Sequence, residues 1–156
     1  MIRVQRQRFD VNAEIEKLTA GNPKIGGVAT FIGFVRNESQ GDAVTAMTLE
    51  HYPGMTEKTL EEIEAEANRR WPLEGSLIVH RYGKLELGEA IVLVATAAAH
   101  RQAAFESCQF LMDWLKTQAP FWKQEETVAG KRWVEACNTD TATAKNWEKK
   151  DPESSS

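Results

Sequence analysis

HRQAAFESCQFLMDWLKTQAPFWKQEE, residues 100–126, combines a long helical pattern with the strand-like run that follows it. Apolar side chains recur through residues 101–118 at helical spacing and cover a wide arc of the surface. Pro120 ends this pattern because proline cannot continue the hydrogen bonding of a helix. Residues 121–127 then have the composition of a short strand. The segment therefore predicts a largely buried helix that turns directly into a sheet.

The sequence around this segment mixes helical and strand patterns. Asp10 is a plausible N-cap for a helix over residues 11–20, and Thr56 for a second helix within residues 53–71. The predicted strands cover residues 3–9, 26–36, 45–52, 76–82, 89–97, 121–127 and 132–136. A turn containing glycines, residues 83–88, is expected to join two of them. This mixture, with neighbouring strands in hairpin order, predicts the α+β class.

Two hairpins are expected. Strands 26–36 and 45–52 are predicted to pair across a mobile polar loop, NESQGD, residues 37–42. Strands 121–127 and 132–136 are predicted to pair across a turn at Ala129 and Gly130.

Composition bounds the organisation of the chain. A length of 156 residues with 42% apolar residues suits one domain, predicted over residues 1–138. The polar tail, residues 139–156, is expected to be disordered. The net charge of −4 disfavours non-specific nucleic-acid binding. Any anion site must therefore be formed by a local group of cationic residues. Cys108 and Cys137 lack metal-ligand spacing and are expected to be free thiols, with Cys108 in the core.

The N-terminal sequence MIRVQRQRFD lacks the apolar run of a signal peptide. The longest apolar run, residues 90–99, has about half the length that a membrane-spanning helix needs. A cytoplasmic protein without a membrane partner is therefore expected.

Two lysines flank the end of the long helical pattern. Lys116 lies in its last turn, and Lys123 lies on the strand face that also carries Glu125. Surface interpretations remain open, because Lys116 can pair with Asp113 and Lys123 with Glu125. The functional interpretation is an anion site on which both lysines converge, since only a short turn separates the helix from the strand.

His100 and Arg101 lie at the start of the same helix, where free backbone N–H groups favour an anion. Two exposed polar residues at a helix entry are the alternative. His100 and Lys116 are about 24 Å apart along a helix that rises 1.5 Å per residue. If both ends act on one small molecule, the second end must come from another subunit. The wide apolar arc agrees with such a dimer interface.

Other candidate residues are fewer. Arg36 ends the strand FIGFVRN in a position that suits a ligand-facing cation, although arginine is common at strand ends. His51 and His80 are isolated in strand patterns and are expected to be structural. The sequence contains no GxGxxG, P-loop, HExxH or GxSxG motif.

Six stretches resemble the large, catalytic subunit of molybdopterin synthase, and together they span most of residues 26–136. LEHYPGM and LKTQAPFWK are long and of unusual composition. The stretches are GGVATFIGFVRN (26–37), TLEHYPGMTEK (48–58), RWPL (70–73), IVHRYGKLELGEAIVLVATAAAHRQAAFE (78–106), FLMDWLKTQAPFWKQEE (110–126) and RWVEA (132–136).

The resemblance implies an α/β hammerhead-like fold with an antiparallel sheet and a small additional β subdomain. It implies a homodimer that binds a small ubiquitin-like subunit at each end, giving a heterotetramer. The small subunit carries a thiocarboxylate on its C-terminal Gly-Gly. Its sulfur passes to cyclic pyranopterin monophosphate, and two transfers make the dithiolene of molybdopterin in molybdenum cofactor biosynthesis. No metal or cofactor of its own is expected.

The resemblance also implies roles for individual residues. Lys116 and Lys123 are the expected catalytic residues, with Lys116 nearest the incoming tail and Glu125 orienting Lys123. The expected substrate-binding residues are Phe34, Val35, Arg36, His100, Arg101, Lys116, Lys123, Gln124 and Glu125. Cys137 is a departure, because some members have a basic residue there. The alternative function is a non-catalytic adaptor that binds a ubiquitin-like tail or an acidic ligand; a phosphate-binding domain is less favoured, since no glycine loop is present.

Overall fold

The computed structural model describes residues 1–134 and residue 147. The described residues form three helices and nine strands. In chain order these are β1 Ile2–Gln5, α1 Val11–Thr19, β2 Gly27–Phe34, β3 Glu38–Ser39, β4 Asp42–His51, α2 Met55–Arg70, β5 Leu73–Arg81, β6 Gly83–Glu86, β7 Ala90–Ala98, α3 Arg101–Gln118, β8 Phe121–Thr127 and β9 Gly130–Val134. The expectations for residues 135–136, for Cys137 and for most of the tail lie outside the described residues.

The first sheet has the strand order β1-β5-β7-β2. Its pairs are antiparallel, as expected, except for β1 and β5, which run parallel. Strand β7 is buried almost throughout because helices cover both faces of the sheet. Helix α1 covers the face with Leu77 and Leu93, whereas α2 and α3 cover the face with Ile78 and Val94. The α+β class is confirmed.

The second sheet corresponds to the predicted small β subdomain. Strand β4 pairs with β3, β6 and β8, and β8 pairs with β9. The predicted pairing of strands 26–36 and 45–52 is wrong, because β2 pairs with β7 and the two segments belong to different sheets. Residues 83–88, expected to be a turn, include strand β6.

The polar segment NESQGD is a tight hairpin between β3 and β4 instead of an open loop. Ser39 pairs with Asp42, which leaves Gln40 and Gly41 as the two turn residues. Their φ angles, 51° and 83°, are both positive. Two-residue hairpin turns of type I′ require positive φ at both positions, which explains the glycine.

The helix ends show how local chemistry sets the boundaries. Asp10 caps α1 as predicted, with its Oδ1 atom accepting a hydrogen bond from Ala13 N at 3.1 Å. The predicted N-cap at Thr56 is wrong. Gly54 occupies the N-cap, and its N–H donates to Glu57 Oε2 at 2.6 Å. Thr56 lies inside α2 and is fully buried.

Helix α3 begins and ends where the sequence predicts. Other parts of the chain cover much of its wide apolar arc, because Phe110 packs against the rings of Trp71 and Trp147. Burial of this part of the arc therefore does not require a second subunit. Phe105 differs, since its side chain remains 65% exposed. None of the described helices has both the length and the apolar character needed to cross a membrane.

Trp147 is an exception to the disorder expected of the tail. Its side chain is buried in the main core, and its indole N–H donates to Asp113 Oδ2 at 2.6 Å. Its carbonyl oxygen accepts a hydrogen bond from Arg70 at 2.8 Å. The expectation of disorder stays a prediction for the other tail residues.

Candidate functional site

The turn between α3 and β8 places the two lysines on adjoining elements. We call residues 119–121 the α3–β8 corner. The N–H group of Ala119 donates to Leu115 O at 3.3 Å and ends the helix, and the N–H group of Phe121 donates back to Ala119 O at 2.9 Å. Lys116 lies one turn before this corner and is exposed, whereas Lys123 lies just after it and is partly buried.

The charges of both lysines affect the pKa of one buried histidine, His80 in β5. Its ring stacks on Phe121 with 3.7 Å between centroids, and its Nδ1 atom lies 2.8 Å from Arg81 O. That carbonyl can only accept, so Nδ1 carries the proton. Burial first, and then the charges of Lys123, Lys116 and His51, lower the pKa of His80 from 6.5 to about 3. The ring is therefore neutral at physiological pH, and the two lysine charges lie within electrostatic reach of the same ring.

Lys116 is exposed, as a surface lysine would be, but the expected pair with Asp113 is not seen among the described residues. Within the described part of the chain Lys116 makes no ion pair, and Asp113, its expected partner, accepts the indole N–H of Trp147. Glu125, the expected partner of Lys123, is only 3% exposed and is therefore not a surface residue. Lys116 therefore offers an unpaired ammonium group beside the corner.

Arg132 connects the strand of Lys123 to the β3–β4 hairpin. Its Nη1 donates to Asp42 Oδ2 at 2.5 Å and its Nη2 to Ser39 O at 2.7 Å. Its Nε atom lies 3.8 Å from Glu125 Oε1, and neither of these buried atoms has a hydrogen-bond partner among residues 1–134 and 147. The hairpin that follows Arg36 is therefore held by the guanidinium group of β9 as well as by the direct pairing of β4 with β8.

Two further cationic groups lie at concave surfaces. Arg36 lines one with Asn37, Glu38 and Gln40, directly before the tied hairpin. His100 and Arg101 line another at the start of α3, together with Gln102, Phe105 and Glu106. The first turn of α3 contains no acidic residue, and His100 provides no side-chain cap, so the free N–H groups remain available to an anion.

Comparisons with known proteins agree with this arrangement. The family described as MoaE protein matches residues 4–118. The chain belongs to the MoaE protein family. A molybdopterin synthase catalytic subunit of Pseudomonas aeruginosa is 56% identical over 94% of this chain and 98% of its own length. The protein of the same name from Escherichia coli is 53% identical over 94% of this chain and 97% of its own length.

Solved structures of the family share the fold. The molybdopterin biosynthesis MoaE protein from Burkholderia ambifaria has a TM-score of 0.81 and 56% identity, covering 95% of this chain and 97% of its own. Molybdopterin synthase from Staphylococcus aureus has a TM-score of 0.79 and 29% identity, covering 85% of this chain and 96% of its own.

Three residues that the resemblance predicts to bind substrate differ in how accessible they are and in where they lie. Phe34 is 54% exposed and available to a ligand or a second chain. Val35 is buried, and its N–H and carbonyl groups bond to Glu89 and Gly88, which places it in the core. Gln124 lies on the opposite face of β8 from Lys123, because successive strand residues alternate.

The sequence did not single out Thr56, His80 and Arg132 as site residues of this MoaE family member. The predicted turn at Ala129 and Gly130 would set Arg132 opposite Thr127. The turn instead lies at Val128 and Ala129, which sets Arg132 opposite Glu125. Thr56 and His80 gave no signal of a role in the site. Among residues 1–134 and 147, no group of three or more His, Cys, Asp or Glu side chains is arranged to hold a metal ion.

Proposed function

We propose that the chain is the catalytic subunit of molybdopterin synthase. It transfers sulfur from the C-terminal thiocarboxylate of a small ubiquitin-like subunit to cyclic pyranopterin monophosphate. The observation that carries this proposal is the placement of Lys116 and Lys123 on either side of one corner. Both lysine charges contribute to lowering the pKa of His80. Membership of the MoaE family supplies the reaction class, and the two cations supply groups suited to anionic reactants.

The chemistry needs fixed positive charge more than it needs a nucleophile from this chain. The thiocarboxylate sulfur forms a bond to a substrate carbon, and a carbon–oxygen bond of the substrate breaks. Water then hydrolyses the acyl–sulfur bond, so that the tail leaves as a carboxylate and the sulfur stays on the pterin. Sulfur keeps its oxidation state, and no external oxidant is required. Lys116 positions the anionic tail, and Lys123 stabilises the charge that develops on oxygen.

A second copy of the chain completes the site. His100 and Arg101 lie at the opposite end of α3 from Lys116, about 24 Å away along the helix axis. A small substrate cannot bridge that distance within one chain, so the phosphate contacts come from the partner of a homodimer. Phe31 and Phe34 on the edge strand β2 and Phe105 near Arg101 are exposed apolar rings that suit such an interface.

The resulting assembly is a heterotetramer of two catalytic and two small subunits in the cytoplasm. A reducing compartment agrees with Cys108, a buried free thiol whose pKa burial raises to about 11. At that pKa the thiol is inert at neutral pH, so it is not the group that carries sulfur.

Reconstitution tests the proposal. The full chain is mixed with a thiocarboxylated small subunit and cyclic pyranopterin monophosphate, and molybdopterin is measured by mass spectrometry. We expect product with the thiocarboxylate and none with the same small subunit ending in a carboxylate. An intact complex that binds the small subunit yet makes no product would overturn the enzyme assignment and favour the adaptor.

A further inference from the structure

The α3–β8 corner joins the two lysines, so its geometry determines how far apart their ammonium groups lie. Only seven positions of chain separate Lys116 from Lys123, and neither lysine is held by a helix or strand shared with the other. A small rotation at Pro120 would move one ammonium group relative to the other. Whatever fixes the corner therefore fixes the spacing of the two cations.

Thr56 holds the corner from the side of α2. Thr56 is fully buried, and its hydroxyl donates to Pro120 O at 3.1 Å. The same hydroxyl accepts a hydrogen bond from Tyr52 N at 3.0 Å, at the end of β4. One side chain thus satisfies two backbone groups that belong to separate parts of the fold. A buried hydroxyl with both bonds made has a single well-defined position.

His80 holds the corner from the side of the first sheet. Its ring lies nearly parallel to the ring of Phe121, with an angle of 18° between planes. The hydrogen bond to Arg81 O fixes the rotation of the imidazole, and the stack transmits that orientation to the first residue of β8. Phe121 is also paired with His51 of β4. The corner therefore lies between two buried contacts on opposite sides.

We propose that Thr56 and His80 are positioning residues that clamp the α3–β8 corner and so set the separation of Lys116 and Lys123. The roles of the lysines rest on the proposed function, but the clamp itself is a statement about geometry. Neither Thr56 nor His80 needs to touch substrate. Their effect on the reaction passes through the corner to the two ammonium groups.

The test compares three variants of the full chain. Thr56→Val keeps the size of the side chain but leaves Tyr52 N–H and Pro120 O without their partner. Thr56→Ser keeps both hydrogen bonds. Ser76→Ala is the matched control, because the buried Ser76 hydroxyl also accepts one hydrogen bond, from Asn68, and donates one, to Glu64, without contacting the corner.

Two measurements separate geometry from function. A short amine-reactive cross-linker is used to join Lys116 to Lys123 in the isolated chain. The cross-linked peptides are then quantified by mass spectrometry. Turnover is measured with the thiocarboxylated partner. For Thr56→Val we expect a lower yield of the joined pair and a fall in kcat of about tenfold to a hundredfold at unchanged KM, as misplacement of catalytic groups produces. Thr56→Ser and Ser76→Ala should retain the wild-type yield and kcat.

The clamp is overturned if Thr56→Val keeps both the wild-type yield and the wild-type kcat, or if Ser76→Ala lowers them equally. If Thr56→Val does not fold, His80→Leu removes the stack from the other side and should lower the yield and kcat in the same way; unchanged values would overturn the proposal. If the wild-type chain makes no molybdopterin, the proposed function fails, whereas the joined-peptide yield still reports on the clamp.

Discussion

Mixed dimers test whether the two ends of α3 serve the same site. One chain carries Lys116→Ala and the other carries Arg101→Ala. Each variant alone should be inactive, because each of its two sites lacks one cation. In a mixed dimer, one site combines the intact Lys116 of one chain with the intact Arg101 of its partner, and the other site carries both defects.

The expected recovery follows from the length of the helix. A separation of about 24 Å prevents one chain from supplying both groups to a small substrate. Random assembly of equal amounts makes half of the dimers mixed, and each mixed dimer contains one intact site of two. The mixture should therefore regain about one quarter of wild-type activity in a symmetric dimer.

The assay is molybdopterin formation after the two chains are denatured together and refolded, with mixed dimers verified by two affinity tags. Each variant refolded alone is the control for residual activity. If purified mixed dimers recover no activity, the two ends of α3 do not share a pocket. If each variant alone is already active, the assignment of one of the two cations is wrong.

Two further predictions concern stability. In Gly26→Ala, the new Cβ would lie 2.0 Å from Ala99 O, whereas a Cβ at Gly27 meets nothing within 4 Å. Gly26→Ala should lower the free energy of unfolding by about 2–4 kcal/mol through overpacking and a strained hydrogen bond, and Gly27→Ala should not; equal denaturation midpoints would contradict this packing. His80 has its pKa lowered from 6.5 to about 3, so the unfolded chain binds the extra proton between these values and the folded chain does not. Stability should therefore fall with decreasing pH in that window, by up to about 1.4 kcal/mol per pH unit. His80→Phe should flatten the pH dependence measured by urea unfolding, and an unchanged slope would contradict the buried neutral ring.

Local sequence determined the helices and the last hairpin more reliably than the pairing of distant strands. Helix α3 was predicted to its end residues because helical periodicity and Pro120 are both local signals. The pairing of β2 with β7 and the parallel pairing of β1 with β5 join segments far apart in the chain. Hairpin order favoured the wrong partner for β2, since neighbouring strands usually pair.

The candidate site shows the same contrast between local signals, which the sequence reveals, and contacts between distant residues, which it does not. The short turn indicated that Lys116 and Lys123 lie near each other, and the resemblance to the family gave them their expected roles. The contact of Arg132 with Glu125 was missed, because the predicted turn was one residue too late in the chain. The contact of Thr56 with Pro120 spans 64 positions, and no local pattern encodes it. Thr56 was the predicted helix cap, but Gly54, with a positive φ of 87°, occupies the N-cap two residues earlier.

The most direct test of the central claim is the yield of molybdopterin from Lys116→Ala. The variant is assembled with the thiocarboxylated small subunit and given cyclic pyranopterin monophosphate, beside Lys17→Ala from helix α1 on the far face of the first sheet as control. We predict that Lys116→Ala forms the complex but makes no molybdopterin, while Lys17→Ala behaves as the wild type. Near-normal turnover by Lys116→Ala would contradict the account.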